Sequence, residues 1–250
     1  MPPTPTVIGG PEPAGFGSCR SCAFFETGSI ALCYSCANDK MRPPPEHRCD
    51  VCDQALTNPV AVCSNALCSS TDRAFVWNAS IALKSGELEQ MIWRVKKGRW
   101  AWGTVFSRVI LGFLYDNMEE IDGVDAIIPM PALLPAGADP RTDHARFAIE
   151  QAMEQDERGL PFVVDPPLLI KTRATDKMRN TSSAADRRAV SDQLFESLVV
   201  PDAERVRGRE IMVYDDVFTS GSTLNAVARR LKAAGAAAVY GLTLARQTWR

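Results

Sequence analysis

A strand, a short loop and a helix are predicted between residues 211 and 231, and this unit constrains the fold more than any other feature of the chain. Residues Ile211 to Tyr214 are apolar and predict a buried strand, which ends in two adjacent carboxylates, Asp215 and Asp216. Apolar residues then recur at the i, i+3, i+4 and i+7 spacing of a helix face, namely Leu224, Val227, Ala228 and Leu231. Strands that alternate with helices in this way predict an α/β domain with a parallel sheet.

The loop between the acidic pair and the helix has the composition of an anion site, because it consists of Thr219, Ser220, Gly221, Ser222 and Thr223. Amides at a helix N-terminus favour an anion, glycine lets the backbone approach it, and small hydroxyls donate without bulk. Asp215 and Asp216 would repel a phosphate, but they are suited to accept hydrogen bonds from ribose hydroxyls, directly or beside Mg²⁺. The pattern predicts a sugar-phosphate site. Its alternative is an acidic strand end before an N-capped helix, with no ligand.

The run from Val213 to Thr223 resembles the phosphoribosyl-diphosphate (PRPP) motif of type I phosphoribosyltransferases. The match continues through Leu224 to Ala226, Leu231 to Gly235 and Leu242 to Arg246, and these flanks resemble the ComF family in particular. The resemblance implies an α/β, parallel-sheet type I phosphoribosyltransferase domain that binds Mg²⁺ and PRPP. It also implies transfer of the phosphoribosyl group to a nitrogen nucleophile, a nucleobase-like acceptor, with release of pyrophosphate.

The same resemblance assigns roles to the residues of the motif. Asp215 and Asp216 are implied to fix the ribose, and the loop of Thr219, Ser220, Gly221, Ser222 and Thr223 is implied to anchor the 5′-phosphate. Catalysis would then rest on positioning and charge stabilisation.

Two further stretches resemble PRPP-contacting segments of the family. Pro129-Met130-Pro131 follows a predicted strand where the family turns its backbone toward pyrophosphate, which implies PRPP binding at Met130. The family's basic residues after this turn are missing, which leaves Arg141 as the main pyrophosphate candidate. The basic stretch from Lys171 to Arg188 resembles the loop that closes over PRPP, and it implies catalytic roles for Lys177 and Arg179.

The cysteines form the second strong pattern. All eight lie between residues 19 and 68, at Cys19, Cys22, Cys33, Cys36, Cys49, Cys52, Cys63 and Cys68. The two-residue spacings suit thiolates on tetrahedral zinc, whereas a disulfide framework would need an oxidising compartment. A shift of 30 positions carries Cys19, Cys22 and Cys33 onto Cys49, Cys52 and Cys63, and Cys36 nearly onto Cys68. This repeat favours two sequential structural zinc sites. An interleaved arrangement, in which alternate pairs share a metal, stays open. A ComF-like chain is expected to have one such site.

Three segments are predicted in the 250-residue chain. Residues 1–18 are predicted to be a disordered lead-in, residues 19–72 a double four-cysteine region of zinc-ribbon type, and residues 73–250 the phosphoribosyltransferase domain. The lead-in has no apolar segment of the secretory kind and no stretch is long enough for a membrane span, so a cytoplasmic protein without membrane contact is expected. A net charge of −2 gives no overall attraction to nucleic acid.

The remaining elements are predicted from periodicity. Phe75 to Leu83 is predicted as a strand, followed by two helices and then by the first core strand at Val124 to Ile128. The apolar faces are Leu88, Met91, Ile92 and Val95 for the first helix, Trp102, Val105, Phe106, Val109, Phe113 and Leu114 for the second, and Ala145, Ala148, Ile149, Ala152 and Met153 for a third. Short apolar runs at 162–164 and 168–170 and a helix from Ser183 to Leu198 complete the set.

Other functions stay open beside phosphoribosyl transfer. A non-catalytic ComF-like accessory protein would use PRPP binding, or would bind single-stranded DNA through the basic segments Arg94 to Arg99 and Lys171 to Arg188, as in DNA uptake. A zinc-ribbon adaptor that docks a protein partner is compatible with either function. The sequence leaves the acceptor base and homo-oligomer formation undetermined.

Overall fold

The computed structural model describes residues 41–99, 101–175 and 184–248. The strands are β1 (Asn78–Leu83), β2 (Ala126–Pro129), β3 (Ile170–Lys171), β4 (Leu198–Val199), β5 (Glu210–Phe218) and β6 (Ala238–Arg246). The α-helices are α1 (Gly86–Lys96), α2 (Ala101–Asp116), α3 (His144–Gln155), α4 (Ala184–Ser197) and α5 (Ser222–Ala233). Short 3-10 turns cover Ala66–Ser69, Pro140–Thr142 and Ala203–Arg205.

Four strands form a parallel sheet in the order β1-β6-β5-β2, which confirms the predicted parallel α/β architecture. A single parallel bridge between Ile127 and Phe162 adds a further contact beyond the β2 edge. The two-residue strands β3 and β4 pair antiparallel, apart from this sheet. The strand β5, which carries the acidic pair, is therefore an interior strand.

Alternate residues of β5 enter two different apolar cores, as expected for a parallel strand with both faces covered. Met212 and Tyr214 belong to the core formed with α1, α2 and α3. Ile211 and Val213 belong to the core formed with α5 and the cysteine segment. The predicted face of α5 is correct, because Leu224, Val227, Ala228 and Leu231 are all buried.

Several sequence predictions about the elements were wrong in detail. The first core strand is β1 rather than the strand near residue 124, since β1 pairs with β6 over most of its length. Two polar side chains hid this role: Asn78 and Ser80 are buried and hydrogen-bond to each other and to Thr243, which lowers the cost of burying them. Among the described residues, Oδ1 of Asn78 has no hydrogen-bond partner. Met153 is 44% exposed and lies off the buried face of α3.

The run at 162–164 makes only one bridge, and the run at 168–170 contributes only Ile170 to β3. The strand β5 is longer than the apolar run that predicted it. Asp215, Val217 and Phe218 continue the pairing with Thr243, Ala245 and Arg246 of β6, so the acidic pair lies within the strand rather than after it.

The second cysteine unit packs directly against the α/β domain. The amide of Asn78 donates to the carbonyl of Val51 at 2.9 Å, and the amide of Ser80 donates to Oδ2 of Asp53 at 2.6 Å. Cys49 and Cys52 are buried in the same apolar core as α5. The boundary at residue 73 and the lead-in stay predictions. No helix among the described residues is long and apolar enough to cross a membrane.

Candidate functional site

Asp215 and Asp216 lie near the carboxyl end of β5, the strand between β2 and β6. The amide of Asp216 donates to Oδ1 of Asp215 at 2.8 Å. Burial, followed by the adjacent charge of Asp216, raises the pKa of Asp215 to about 8. Two carboxylates this close ionise together only when a cation or hydrogen-bond donors compensate them. The pair is therefore arranged to accept a ligand that supplies donors or a divalent cation.

One cation already offsets the negative charge of the acidic pair. Nζ of Lys96, in the last turn of α1, lies 2.5 Å from Oδ2 of Asp216. The imidazole of His144, the first residue of α3, also lies within the field of Asp216. Partial burial lowers the pKa of His144, while the charge of Asp216 opposes that shift. His144 is thus a first-turn helix residue, as predicted, and its ring is close enough to Asp216 for that charge to affect its pKa.

The predicted loop forms a tight turn onto the N-terminus of α5. Gly221 is the N-cap residue and has a left-handed backbone, with φ of +84°. A Cβ atom at this position would lie 2.6 Å from Cζ of Phe218, so both the backbone and the space require glycine. Oγ of Ser220 lies 2.9 Å from Oγ of Ser222. The first-turn amides of α5, which have no partner within the helix, are directed toward the loop.

The strand β2 brings a second segment to the same edge of the sheet. Its register pairs Pro129 with Tyr214, and the amide of Met130 donates to the carbonyl of Tyr214 at 2.7 Å. Met130 therefore lies beside the residue that precedes the acidic pair. The structure brings Met130 and the motif loop together, as their predicted common site requires.

An open cleft of about 750 Å³ lies at this edge of the sheet. Its walls include Lys96, Met130, Lys171, Asp216, Thr219 and Thr223. Thr219 and Thr223 also line a smaller adjoining cavity that contains Asp215. Cavities at the carboxyl ends of parallel strands are where α/β proteins bind ligands, so this cleft is the candidate site.

The cleft wall carries cations and one aromatic ring. Nζ of Lys171 donates to Oγ1 of Thr175 at 2.8 Å, and burial lowers the pKa of Lys171. Lys84 contributes a second ammonium group, which donates to Oε1 of Gln247 at 2.9 Å. Trp93 of α1 lines the cleft and is 62% exposed. The cleft thus offers Lys84, Lys96 and Lys171 as partners for an anionic ligand.

Several predicted site residues are not shown in the cleft. Among the described residues, Ser220 and Ser222 line neither the cleft nor its adjoining cavity, but a separate cavity with Asn65 and Ser191. Arg141 is not among the cleft residues, and its guanidinium pairs with Asp139, with Nη2 2.6 Å from Oδ2. Its pyrophosphate role stays a prediction. Lys177 and Arg179 lie outside the described residues, and so do Cys19, Cys22, Cys33 and Cys36.

The other four cysteines converge on one point. The Sγ atoms of Cys49, Cys52, Cys63 and Cys68 all lie within 4.8 Å of one another. Four thiolates about 2.3 Å from a tetrahedral zinc ion lie about 3.8 Å apart, and Cys52 and Cys63 have this separation, 3.8 Å. The set fits one metal ion such as zinc. It is also the set that the sequential arrangement assigns to the second unit.

Local backbone structure positions the cysteines of this metal site. A hairpin closed by an antiparallel bridge between Arg48 and Ala55 presents Cys49 and Cys52. Asn65 caps the 3-10 turn that carries Cys68, since its Oδ1 accepts from the amide of Leu67. A hydrogen bond with Cys68 lowers the pKa of Cys52 to about 5 against the effect of burial. One thiolate is therefore available for a metal near neutral pH.

Sequence reasoning missed two kinds of residue. Lys84 carries no motif signal, and only its place next to β1 brings it to the cleft. Asn65 donates from Nδ2 to the carbonyl of Ser220 at 3.1 Å, a contact between positions 155 residues apart that no local pattern reveals. No known protein family model matches the chain, and no curated protein matches it either.

Proposed function

We propose that the protein is a ComF-like phosphoribosyltransferase that binds Mg²⁺-PRPP in the cleft at the carboxyl end of the sheet. One observation carries the proposal: Asp215 and Asp216 lie near the carboxyl end of an interior parallel strand, which continues through a glycine-capped loop into the N-terminus of α5. This arrangement matches the demands of a sugar phosphate, with acceptors for ribose hydroxyls beside donors for a phosphate. The resemblance of residues 213–223 to the PRPP motif supports the same ligand.

Each wall of the cleft has a role in this proposal. Asp215 and Asp216 accept hydrogen bonds from the ribose hydroxyls. The backbone amides and hydroxyls of Thr219 to Thr223 hold the 5′-phosphate. Met130 turns its backbone toward the pyrophosphate, and Lys96 and Lys171 offset its charge from the opposite side of the cleft. Arg141 stays a further pyrophosphate candidate, and Lys177 and Arg179 are proposed to close over the ligand.

The residues present fit Mg²⁺, because a carboxylate pair and ligand oxygens are the donors that this ion prefers. Bound there, Mg²⁺ supplies positive charge that stabilises the leaving pyrophosphate. The reaction forms a bond from the acceptor nitrogen to C1 of the ribose and breaks the bond from C1 to the pyrophosphate oxygen. The bonding electrons leave with pyrophosphate, which accepts the proton lost from the nitrogen. The protein holds the two reactants in line and keeps water out.

The cysteines are proposed to hold two structural zinc ions, one of them at Cys49, Cys52, Cys63 and Cys68. All four donors of that set are thiolates, which leaves no ligand position for water and gives the ion a structural role. The second ion belongs to Cys19, Cys22, Cys33 and Cys36.

The test is incubation of the zinc-loaded protein with Mg²⁺, PRPP and a panel of nucleobases. Phosphorus NMR should show pyrophosphate released with one base and not with the others, and calorimetry should show PRPP binding without any base. Replacement of both Asp215 and Asp216 by Asn should weaken PRPP binding by about tenfold or more per residue, because each loses a charge-assisted hydrogen bond. A wild-type protein that binds no PRPP would contradict the ligand assignment.

A second candidate function is a non-catalytic accessory role with single-stranded DNA as the ligand. The specific observation is Trp93, which is exposed and has Nζ of Lys97 5.7 Å from the centre of its ring. An exposed aromatic ring beside cations is the usual platform for an unpaired base. Salt-sensitive DNA binding by a protein that releases no pyrophosphate, lost in Trp93→Ala, would favour this candidate over the enzyme.

A further inference from the structure

Arg246, the last residue of β6, is a buried cation with an unusual set of partners. It is 1% exposed and stacks over Phe218, with the guanidinium carbon 5.0 Å from the ring centre. Within the described residues, no carboxylate lies within ion-pair distance of its guanidinium. An isolated buried charge is costly, so a compensating anion is expected nearby.

The cysteine cluster supplies that anion. Nε of Arg246 donates to the carbonyl of Cys52 at 2.7 Å, and Nη2 lies 3.8 Å from Sγ of Cys52. Nη2 also donates to Oε1 of Gln54 at 2.9 Å. Four thiolates around one divalent ion carry a net charge of −2, so a loaded metal site compensates the guanidinium directly.

The remaining donors of Arg246 hold the start of the phosphate loop. Nη1 donates to the carbonyl of Thr219 at 2.8 Å and to that of Phe218 at 3.2 Å, and also to the carbonyl of Gln247 at 2.7 Å. The next carbonyl, of Ser220, is held by Asn65, which lies between the metal-site cysteines Cys63 and Cys68. Three successive carbonyls, of the last residue of β5 and the first two residues of the loop, are therefore held by Arg246 or by the metal segment, which sets the direction of the loop amides.

We propose that Arg246 is a positioning residue that couples metal loading of the cysteine cluster to ligand binding by the phosphate loop. The inference rests on the proposed function of that loop. With the metal bound, the anionic cluster fixes the guanidinium, and the guanidinium fixes the carbonyls of Phe218 and Thr219. Without the metal, Arg246 loses the anionic cluster that compensates its charge, and the loop carbonyls are no longer held in place. A metal site outside the cleft thus determines affinity within it.

The experiment compares the full-length, zinc-loaded wild type with Arg246→Lys. Lysine keeps the charge but cannot reach Cys52 and both loop carbonyls at once. The variant should retain its zinc and bind Mg²⁺-PRPP about tenfold more weakly, as expected when charge-assisted hydrogen bonds are lost. The matched control is Arg108→Lys, because Arg108 is also buried but contacts Gln155 between α2 and α3. The control should keep both zinc and PRPP affinity.

A chelation cycle then separates coupling from a general structural effect. Removal of zinc from the wild type, followed by desalting, should weaken PRPP binding about tenfold, and added zinc should restore it. In Arg246→Lys, removal of zinc should weaken PRPP binding little further. Zinc removal and the substitution both break the same link between the cysteine cluster and the loop, so their effects on affinity are not additive. Additive losses, or unchanged PRPP affinity in either the variant or the chelated protein, would overturn the inference.

Cobalt spectroscopy keeps this test distinct from the test of function. Co²⁺ in place of zinc should give thiolate charge-transfer bands that shift in Arg246→Lys, because the guanidinium lies against Cys52. A wild type that binds zinc but no PRPP would contradict the proposed function. Cobalt bands that are identical in wild type and variant would instead contradict the role of Arg246.

Discussion

Lys96 and Asp216 form an ion pair across the candidate cleft, with Nζ of the lysine 2.5 Å from Oδ2 of the aspartate. The pair joins the last turn of α1 to the end of β5. Lys96 also lowers the pKa of Asp215, against burial and the charge of Asp216, which both raise it. Lys96 therefore controls how readily the acidic pair becomes fully ionised.

The variant Lys96→Ala should shift the pH dependence of PRPP binding. Binding to the ionised pair should strengthen as pH rises toward the pKa of Asp215, about 8. Loss of Lys96 raises that pKa, so the midpoint should move upward by about half a pH unit, given that a partly exposed ion pair contributes up to about 1 kcal/mol. Calorimetry between pH 6 and 9 measures the midpoint. Lys97→Ala, which changes a neighbouring lysine stacked on Trp93, should leave it in place.

The variant Asp215→Asn should be more stable than the wild type at pH 8. Because the folded pKa of Asp215 is raised, mainly by burial, the folded protein holds a proton that the unfolded chain releases above pH 4. The stability that this proton contributes is present below pH 4 and is lost as pH rises through about 8. Asparagine removes the dependence, so the gain should reach at least ~1.4 kcal/mol, the equivalent of one pKa unit.

Urea denaturation of both proteins at pH 5 and pH 8 measures this gain. The difference between variant and wild type should be larger at pH 8, and PRPP binding should be weakened in the variant at both values. A variant that is less stable than the wild type at pH 8 would show that Asp215 is ionised and well compensated in the unliganded protein.

The sequence predicts the local part of this structure well. The apolar spacing of Leu224, Val227 and Leu231 identifies the buried face of α5, because helix periodicity depends only on near neighbours. The acidic pair and the loop after it were predicted to form one ligand site from their adjacent positions, and this site stays a prediction. Cys49, Cys52, Cys63 and Cys68 were assigned to one unit by their spacing, and the structure brings them together.

Contacts between distant, polar residues could not be predicted in this way. Asn78 and Thr243 are 165 positions apart and pair across β1 and β6 through side chains with no periodic signal. Lys96 belonged to a stretch of four cations, and nothing local shows which of them reaches Asp216. The contact of Asn65 with Ser220 depends on how the metal segment packs on the domain, which neither segment encodes alone.

Metal content should report whether both cysteine units bind. We expect two zinc ions per chain in protein purified without added metal, and one in Cys63→Ser. Cys63 is a suitable position because it is only partly buried, so the substitution removes a ligand with little loss of packing. Inductively coupled plasma analysis counts the ions. One ion in the wild type and none in the variant would assign all of the zinc to Cys49, Cys52, Cys63 and Cys68.

Substitution of Gly221 by alanine should weaken PRPP binding through two separate effects. The left-handed backbone costs an alanine roughly 1–2 kcal/mol, and the added methyl group would lie 2.6 Å from Cζ of Phe218, which forces the loop away from its present position.

Gly137→Ala is the matched control, because Gly137 has a similar φ of +78° but no atom within 4 Å of its Cβ position. Thermal unfolding and calorimetry on both variants distinguish the two costs. Gly137→Ala should lose only the backbone contribution to stability and bind PRPP normally, whereas Gly221→Ala should lose more stability and bind at least tenfold more weakly, as expected when the loop amides no longer meet the phosphate. Equal PRPP affinity in the two variants would place the phosphate away from this loop.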